Sequence, residues 1–222
     1  MTSAEVAAID SPILIVPIGS FEQHGPHLPL DTDTRIAIAL CDALCRHLEP
    51  HALIGPPITV TASGEHRGFA GTLSIGSEAT VSVIVELARS ATWADRVVFV
   101  NGHGGNADAL ARARRVFADE GRRVLVWSPS ATSEDDAHAG RTETSVIAHL
   151  HPEAVDWTRV TPGRTTPIAD LASELRTGGV GAVSVNGVLG DPTGADAARG
   201  RSIFERWTRE LVDAVERWRS SP

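Results

Sequence analysis

The sequence predicts an α/β protein: an α-β-α sandwich with a mostly parallel sheet, built as one domain over residues 1–222. Short apolar runs alternate with segments of helical periodicity, a pattern typical of parallel strands joined by helices. The length of 222 residues, with 42% hydrophobic side chains, is sufficient for one large core. Because no internal repeat, low-complexity tract or linker divides the chain, we expect a single domain.

Four apolar runs are the predicted strands, at residues 13–18, 53–60, 96–100 and 123–127. The third run, RVVFV, is the clearest, because β-branched and aromatic side chains favour strands. The second run contains Pro56 and Pro57, which interrupt its pattern. The first run, ILIVPI, is a candidate for a buried strand and is bounded by Gly19.

The predicted helices lie between and after these strands, at residues 33–48, 77–92, 107–120, 143–149 and 203–218. In the first of them, Ile36, Leu40, Leu44 and Leu48 recur at helical spacing, and Asp33 or Thr34 is suited to cap its start. The last is amphipathic and closes the chain. Between the last two predicted helices, residues 178–190 are punctuated by glycine.

The composition restricts the chemistry that this protein can perform. All 20 basic residues are arginines, and the chain contains neither lysine nor tyrosine. A Schiff-base lysine, a Walker-type phosphate lysine and a tyrosine acid or nucleophile are therefore excluded. The chemistry must come from His, Asp, Glu, Ser, Thr, Cys or a bound metal.

The sequence also restricts the binding partners and the cellular location of the protein, but less strongly than it restricts the chemistry. A net charge of −8 without a basic block argues against a nucleic-acid partner. No apolar run reaches the roughly 18–20 residues that span a bilayer, so no membrane partner is expected. The N-terminal segment lacks the features of a signal peptide, and Cys41 and Cys45 are interpreted as structural thiols. Together these features predict a cytoplasmic protein.

The first chemical motif, GSFEQHGPHLPLDTD, directly follows a predicted buried strand and spans residues 19–33. Open α/β sheets bind ligands at the carboxyl ends of their strands. The motif holds a dense set of ligand-type side chains: Glu22, His24, His27, Asp31 and Asp33, with Gln23 beside them. Mixed imidazole and carboxylate ligands suit Zn, Mn or Fe(II). A polar turn without a metal is the alternative interpretation, and the density of ligands disfavours it.

The second motif, NGHGGN at residues 101–106, follows another predicted strand. A glycine-rich turn can bind phosphate through backbone N–H groups. However, the spacing does not match G-x-G-x-x-G, and the acidic residue expected about 20 positions later is missing. A ligand role for His103 in a tight turn is the better interpretation.

The third motif, DDAHAGRTETS at residues 135–145, places His138 and Glu143 five residues apart near a predicted helix start. An acidic residue in a first helical turn is common, so Glu143 also has a purely structural interpretation. The remaining histidines are expected at the surface, except His66, which lies in a glycine loop and could line a pocket. The predicted surface histidines are His47, His51, His149 and His151.

In this order, the three motifs resemble the creatininase family of binuclear-metal amidohydrolases. The resemblance rests on the GSFEQHGPHLPL segment followed by Thr-Asp, on NGHGGN and on HAGRTETS, and it covers nearly the whole chain. It implies a creatininase-like fold, a homo-oligomer and two divalent metal ions, which would be Zn, Fe(II) or Mn.

The resemblance also implies a set of site residues. Glu22, His24, Asp33 and His103 correspond to metal ligands of the family, with Asp33 bridging both ions. Creatininase itself has a glutamate where this chain has Gly105, so we expect Glu143 to supply the missing ligand. His138 is the candidate general acid, and a role in orienting Glu143 is its alternative.

Other segments, among them the stretch NGVLGDP at residues 186–192, resemble a peptidase branch of the family. Such an enzyme would cut the amide before a modified C-terminal Val-Tyr pair of a ribosomally made peptide, a step in the biosynthesis of a redox cofactor. One alternative is hydrolysis of a small cyclic amide or formamide. Another is a metal-binding scaffold without turnover.

Overall fold

The computed structural model describes residues 1–220 and contains one parallel sheet. Its strands are β1 (Ile13–Ile18), β2 (Ala52–Ile54), β3 (Arg96–Asn101) and β4 (Val124–Trp127), in the order β2-β1-β3-β4. The central pair is in register along its full length, from Ile13 opposite Arg96 to Ile18 opposite Asn101. The loops that follow β1 and β3 therefore leave the sheet side by side.

The α-helices of the described chain are α1 (Ser3–Ala7), α2 (Thr32–Leu48), α3 (Gly76–Ser90), α4 (Ala107–Asp119), α5 (Arg141–Leu150), α6 (Ile168–Gly178), α7 (Val180–Val183) and α8 (Ala197–Arg219). Short 3-10 turns at Gly64–His66 and Gly104–Asn106 are important for the site. In the described chain, no helix is both long and apolar enough to span a membrane.

Alternate residues of the strands pack into two hydrophobic cores, one on each face of the sheet. Val98 and Val100 of β3 pack against α2, α5 and α8, whereas Val97 and Phe99 pack against α3 and α4. This is the α-β-α sandwich that the sequence predicts. In α8, the buried residues follow a spacing of four, as expected for an amphipathic helix: Ile203, Trp207, Leu211 and Val215.

Two local predictions are wrong. The strand predicted over residues 53–60 ends at Ile54, because Pro56 and Pro57 have no N–H for a ladder; only Ile58 returns to pair with Ile18 in an isolated bridge. The helix predicted over residues 33–48 is present as Thr32–Leu48, but neither Asp33 nor Thr34 caps it as predicted. The Thr34 hydroxyl instead donates to the Ser20 carbonyl.

The region after β4 covers the carboxyl edge of the sheet. Residues near His138 form an antiparallel bridge with Leu189, whose side chain packs with Leu171 of α6 and Val180 of α7. At the same edge, a Cβ on Gly102 would collide with the Asp33 carbonyl oxygen. Glycine therefore lets the end of β3 approach the first turn of α2.

Candidate metal centre

The ends of β1 and β3 bring four of the predicted ligands together. Glu22 and His24 follow β1, Asp33 lies in the first turn of α2, and His103 follows β3. Glu22 and His24 are 0% exposed, and the other two are also buried. The first two motifs were each predicted to follow a buried strand, and the parallel pairing of β1 with β3 places both at the same edge of the sheet.

Asp33 joins the two halves of this cluster. Its Oδ1 lies 3.1 Å from His24 Nε2, and its Oδ2 lies 3.0 Å from His103 Nδ1. The Ser20 hydroxyl donates a 2.7 Å hydrogen bond to Oδ2. His24 Nδ1 lies 3.0 Å from the Glu22 carbonyl oxygen, so Nδ1–H donates there and Nε2 faces Asp33. A carboxylate with one oxygen on each side is the shape that a bridging ligand needs.

Glu22 provides the observation that best tests whether a metal fits. Both of its carboxylate oxygens are buried without a hydrogen bond. Oε2 lies 3.2 Å from His103 Nε2, and Oε1 lies 3.1 Å from His66 Nε2. A buried carboxylate without hydrogen-bond partners is costly unless a cation neutralises it. The residues present therefore fit a bound divalent ion.

Glu143, at the start of α5, completes a second group. Its Oε2 lies 4.0 Å from His24 Nε2 and accepts a 2.6 Å hydrogen bond from the Ala139 N–H. Ala139 is buried and has a φ of 51°, in the left-handed region, which aims this N–H at the carboxylate. Three sets of three side chains could hold a metal ion, with ligand atoms within 4.8 Å of one another in each: Glu22–Asp33–His103, His24–Asp33–Glu143 and Glu22–His24–His138. The first two sets, called the two ligand groups, share Asp33.

His138 belongs to the third set, with Glu22 and His24, and lies beside both ligand groups. Its ring centroid is 4.4 Å from those of His24 and His66, and its Nδ1 lies 3.9 Å from Glu22 Oε1. On the other side of the ring, Nε2 lies 2.8 Å from the Gln23 carbonyl oxygen. No hydrogen bond joins His138 to Glu143 among residues 1–220, so its contacts favour Glu22 over Glu143.

The pKa values of two glutamates and two histidines in the cluster are raised, for different physical reasons. Burial raises the pKa values of Glu22 and Glu143 to about 7, despite the opposing charges of nearby histidines. Burial alone would lower the pKa of His24, but the charge and hydrogen bond of Asp33 raise it to about 10. His103 behaves alike: Glu22 and Asp33 overcome its burial and raise its pKa to about 10. Protons on these imidazoles thus occupy places that a metal ion can take.

The pKa values of Asp33 and His138 are both lowered. Burial would raise the pKa of Asp33, but His24 and His103 hold it well below its usual range. Burial lowers the pKa of His138 well below its usual range, and the charges of His24 and His66 act in the same direction. Asp33 is thus ionised and His138 neutral at pH 7.

The structure places two further residues at the site. The sequence indicates Gln23 only as a neighbour of the ligands and His66 only as a residue of a pocket wall. The Gln23 amide donates to His66 Nδ1 at 2.8 Å and to the Gly187 carbonyl at 3.0 Å. The only sequence signal for His66 was its place in the glycine-containing SGEH loop, which does not reveal which strand end it faces.

Other ligand-type residues lie outside the two groups. The His27 Nε2 lies 2.9 Å from the Thr144 hydroxyl, and Asp31 accepts a hydrogen bond from Arg35. The four histidines predicted at the surface are exposed or half-buried and belong to neither group: His47, His51, His149 and His151.

The sequence profile of one protein family, described as Creatininase: Creatinine amidohydrolase, matches residues 1–215. The chain belongs to the creatininase family. This membership confirms the resemblance that the three motifs carry.

Relatives of this creatininase-family chain include a protein from Mycobacterium ulcerans named Mycofactocin precursor peptide peptidase. The two are 51% identical over an alignment 219 positions long, and the match covers 95% of this chain and 87% of that protein. This likeness agrees with the peptidase branch that the sequence motifs indicate.

Solved creatininases have the same fold. A tryptophan-to-phenylalanine mutant creatininase superposes with a TM-score of 0.81 at 25% identity, covering 98% of this chain and 96% of that one. A structure named Creatininase Mn superposes with a TM-score of 0.77 at 26% identity and the same coverage. The prediction of a creatininase-like α/β fold is therefore confirmed.

Proposed function

We propose that this chain is a metal-dependent peptidase that hydrolyses the mycofactocin precursor peptide at the amide before its modified C-terminal Val-Tyr pair. The observation that carries the proposal is the 51% identity, over 95% of the chain, to a peptidase named for that precursor. The reaction is a hydrolysis of a carbon–nitrogen bond. The two ligand groups at the sheet edge supply the place where it would occur.

The residues of the two ligand groups are the proposed metal ligands. Glu22, Asp33 and His103 would hold one divalent ion, and His24, Asp33 and Glu143 the other. Bound divalent ions would polarise the amide carbonyl and acidify water. Zn, Fe(II) and Mn all suit this mixture of imidazole and carboxylate ligands. The creatininase structure that carries manganese in its name supports a transition metal of this kind.

His138 is the proposed proton carrier. The Gln23 side-chain nitrogen lies near three partners: His66 Nδ1 at 2.8 Å, the Gly187 carbonyl at 3.0 Å and His138 Nε2 at 3.0 Å. It has only two hydrogens, which we assign to His66 Nδ1 and the Gly187 carbonyl. His138 Nε2 therefore keeps its own hydrogen, which it donates to the main-chain carbonyl oxygen of Gln23 at 2.8 Å. Its Nδ1 is left unprotonated and faces Glu22.

This arrangement refines the role of general acid. A neutral imidazole with a free Nδ1 first accepts a proton from the attacking water. The resulting imidazolium, held by the Gln23 carbonyl, then delivers that proton to the leaving amine. The low pKa of His138 in the free protein favours the neutral form that the first step requires.

The surface beside the centre favours a peptide over a small ring. A cleft of about 540 Å³ opens next to Glu65, between the Gly64–His66 turn and the end of α6. Clefts of this size accommodate ligands much larger than a creatinine ring. Arg67 and Arg176 line the cleft as exposed side chains. Hydrolysis of a small cyclic amide or formamide is the competing activity, since the family profile is described by creatinine hydrolysis.

The experiment is incubation of metal-loaded protein with the crosslinked precursor peptide, followed by mass spectrometry. We expect release of the modified dipeptide and of the shortened peptide, each gaining its share of one water. Metal-stripped protein, unmodified peptide and creatinine are the controls. Turnover of creatinine without cleavage of the peptide would replace the peptidase with the small-amide activity, and turnover of neither would favour a non-catalytic scaffold.

We propose two further properties together with this function. The active protein is a homo-oligomer, as expected from its family, and it acts in the cytoplasm. Light scattering coupled to size-exclusion chromatography measures the first, and a monomer at micromolar concentration would contradict it. Fractionation of the source cells measures the second.

A further inference from the structure

Glu65 has a carboxylate close to the metal centre but outside both ligand groups. It lies in the 3-10 turn Gly64–His66, and its Oε1 is 3.6 Å from His103 Nε2. Its side chain is 33% exposed and also lines the cleft beside the site. Neither motif reasoning nor family membership assigns it a role.

The two ring nitrogens of His103 have different surroundings. Three oxygens surround Nε2: the Ala62 carbonyl at 3.0 Å, Glu22 Oε2 at 3.2 Å and Glu65 Oε1 at 3.6 Å. Nδ1 faces Asp33 Oδ2 at 3.0 Å. Both nitrogens face acceptors, but only Nδ1 faces Asp33, the residue that the two ligand groups share. A metal ion would take the place of the Nδ1 proton, while Nε2 keeps its N–H toward the Ala62 carbonyl.

Metal-binding histidines commonly donate their second N–H to a carbonyl or a carboxylate, which fixes the ring and increases its basicity. In this chain the Ala62 carbonyl accepts that bond, and Glu65 places a negative charge on the same side of the ring. The carboxylate therefore stabilises the tautomer in which Nδ1 binds metal.

Gly105 provides the room for this carboxylate. A Cβ at position 105 would collide with Glu65 Oε1 and with the His103 ring. By contrast, a Cβ on the neighbouring Gly104 would meet nothing within 4 Å. The turn Gly104–Asn106 thus lacks a side chain at the one place where Glu65 approaches.

We propose that Glu65 is a positioning residue: its carboxylate orients His103 for metal binding across the gap that Gly105 leaves open. This inference rests on the proposed metal-dependent function, but its test measures metal affinity directly. The proposal would hold even if the preferred substrate were a different amide.

The first experiment compares Glu65→Gln with Glu174→Gln, an exposed glutamate of α6, in the full-length protein. Affinity for Zn²⁺ is measured by competition with a chelator, and bound metal by elemental analysis. We expect Glu65→Gln to weaken one of the two ions by about 10–100-fold, the usual effect of losing an outer-shell partner, while Glu174→Gln binds like wild type. Glu65→Asp, which keeps the charge, should recover part of the loss.

A cobalt-loaded sample gives a spectroscopic readout of the same site. We expect the visible absorption of the Glu65→Gln protein to change, because the His103 ring reorients, while far-ultraviolet circular dichroism stays as in wild type. Wild-type affinity for both ions together with an unchanged cobalt spectrum would overturn the proposal. Failure of wild-type protein to cleave the peptide would refute the proposed function and leave this measurement intact.

Gly105→Ala and Gly104→Ala form a second matched pair. The first substitution pushes Glu65 and His103 apart, and the second enters open space. We expect Gly105→Ala to weaken the same ion at least as much as Glu65→Gln does, and Gly104→Ala to bind both ions normally. Equal behaviour of the two alanine variants would show that Glu65 does not need this gap.

Discussion

Two regions supply the residues of the candidate centre, and they are held by different forces. Strands β1 and β3 pair in parallel as far as Ile18 and Asn101. The backbone hydrogen bonds of this pairing fix the starting points of the two loops that carry His24 and His103. The segment over residues 135–145 belongs to no strand of the sheet. It is held by a bridge between His138 and Leu189 and by the hydrogen bond of Ala139 to Glu143.

The two regions differ in the burial of their side chains and in the contacts that hold them. Residues at the strand ends are buried and packed on the sheet, which suits ligands that must keep a fixed geometry. Glu143 keeps 20% of its side chain exposed, and His138 depends on contacts made by Gln23. In the proposed function, the segment over residues 135–145, called the covering segment, would adjust the second ion and move protons.

The largest effect is expected at Asp33, where the two ligand groups meet. Asp33→Ala removes the oxygens that face both His24 and His103, so both ions should be lost. We expect activity to fall by about 10³-fold or more, as when residues that act as a unit are disabled. Elemental analysis and peptide cleavage measure the result. Asp31→Ala, two residues earlier and bonded to Arg35, is the control. Retention of two ions by Asp33→Ala would refute a shared ligand.

The next effect concerns the covering segment and separates chemistry from metal binding. His138→Asn should keep both ions but lower kcat by about 10²–10⁴-fold, the usual contribution of a general acid or base. Its pH–rate profile should also lose the limb that reports the imidazole. If metal content falls in parallel with kcat, His138 is a ligand or a support for one.

A smaller effect directly compares the two regions. His103→Ala removes a buried proposed ligand at a strand end. Glu143→Gln removes only the charge of a partly exposed proposed ligand, whose pKa burial already raises to about 7. We expect a weaker loss of metal affinity for Glu143→Gln, measured by chelator competition. If Glu143→Gln loses more affinity than His103→Ala, the covering segment is the more important metal site.

The smallest effect is a pH dependence of stability in the metal-free protein. The folded protein keeps the protons of His24 and His103 up to pH values of about 10, whereas an unfolded chain releases them near a pKa of 6.5. The folded state therefore binds more protons between pH 7 and 9, and its stability should fall as the pH rises. Metal ions displace these protons, so the gain in Tm on adding Zn²⁺ should be larger at pH 8.5 than at pH 7. Differential scanning calorimetry measures both trends. A Tm of the metal-free protein that rises over this range would contradict the charge assignment.

Much of the fold could be predicted from the sequence because each signal is local. The predicted helix over residues 107–120 corresponds to Ala107–Asp119, and the predicted strand over residues 96–100 to Arg96–Asn101. The second strand was overestimated because apolar side chains at Leu53 and Ile58 suggested a continuous run. The missing N–H groups of the two prolines between them decided otherwise.

Asp33 illustrates a second limit of prediction from the sequence. Its position before an apolar helix is typical of a cap, and the sequence offers no way to see the imidazoles that it faces. In the fold, His24 and His103 approach it from two loops, and this charge pairing determines where its side chain points.

By itself, the sequence determined the fold class, the family and the residue types of the centre, because these depend on periodicity and on motifs within a few residues. Only the tertiary structure decided the roles of Gln23, His66 and Glu65. Gln23 meets His66 across 43 positions of the chain, and Glu65 reaches His103 through the gap at Gly105. Such contacts arise when separate loops converge at one edge of a sheet, and no local pattern encodes the distance between them.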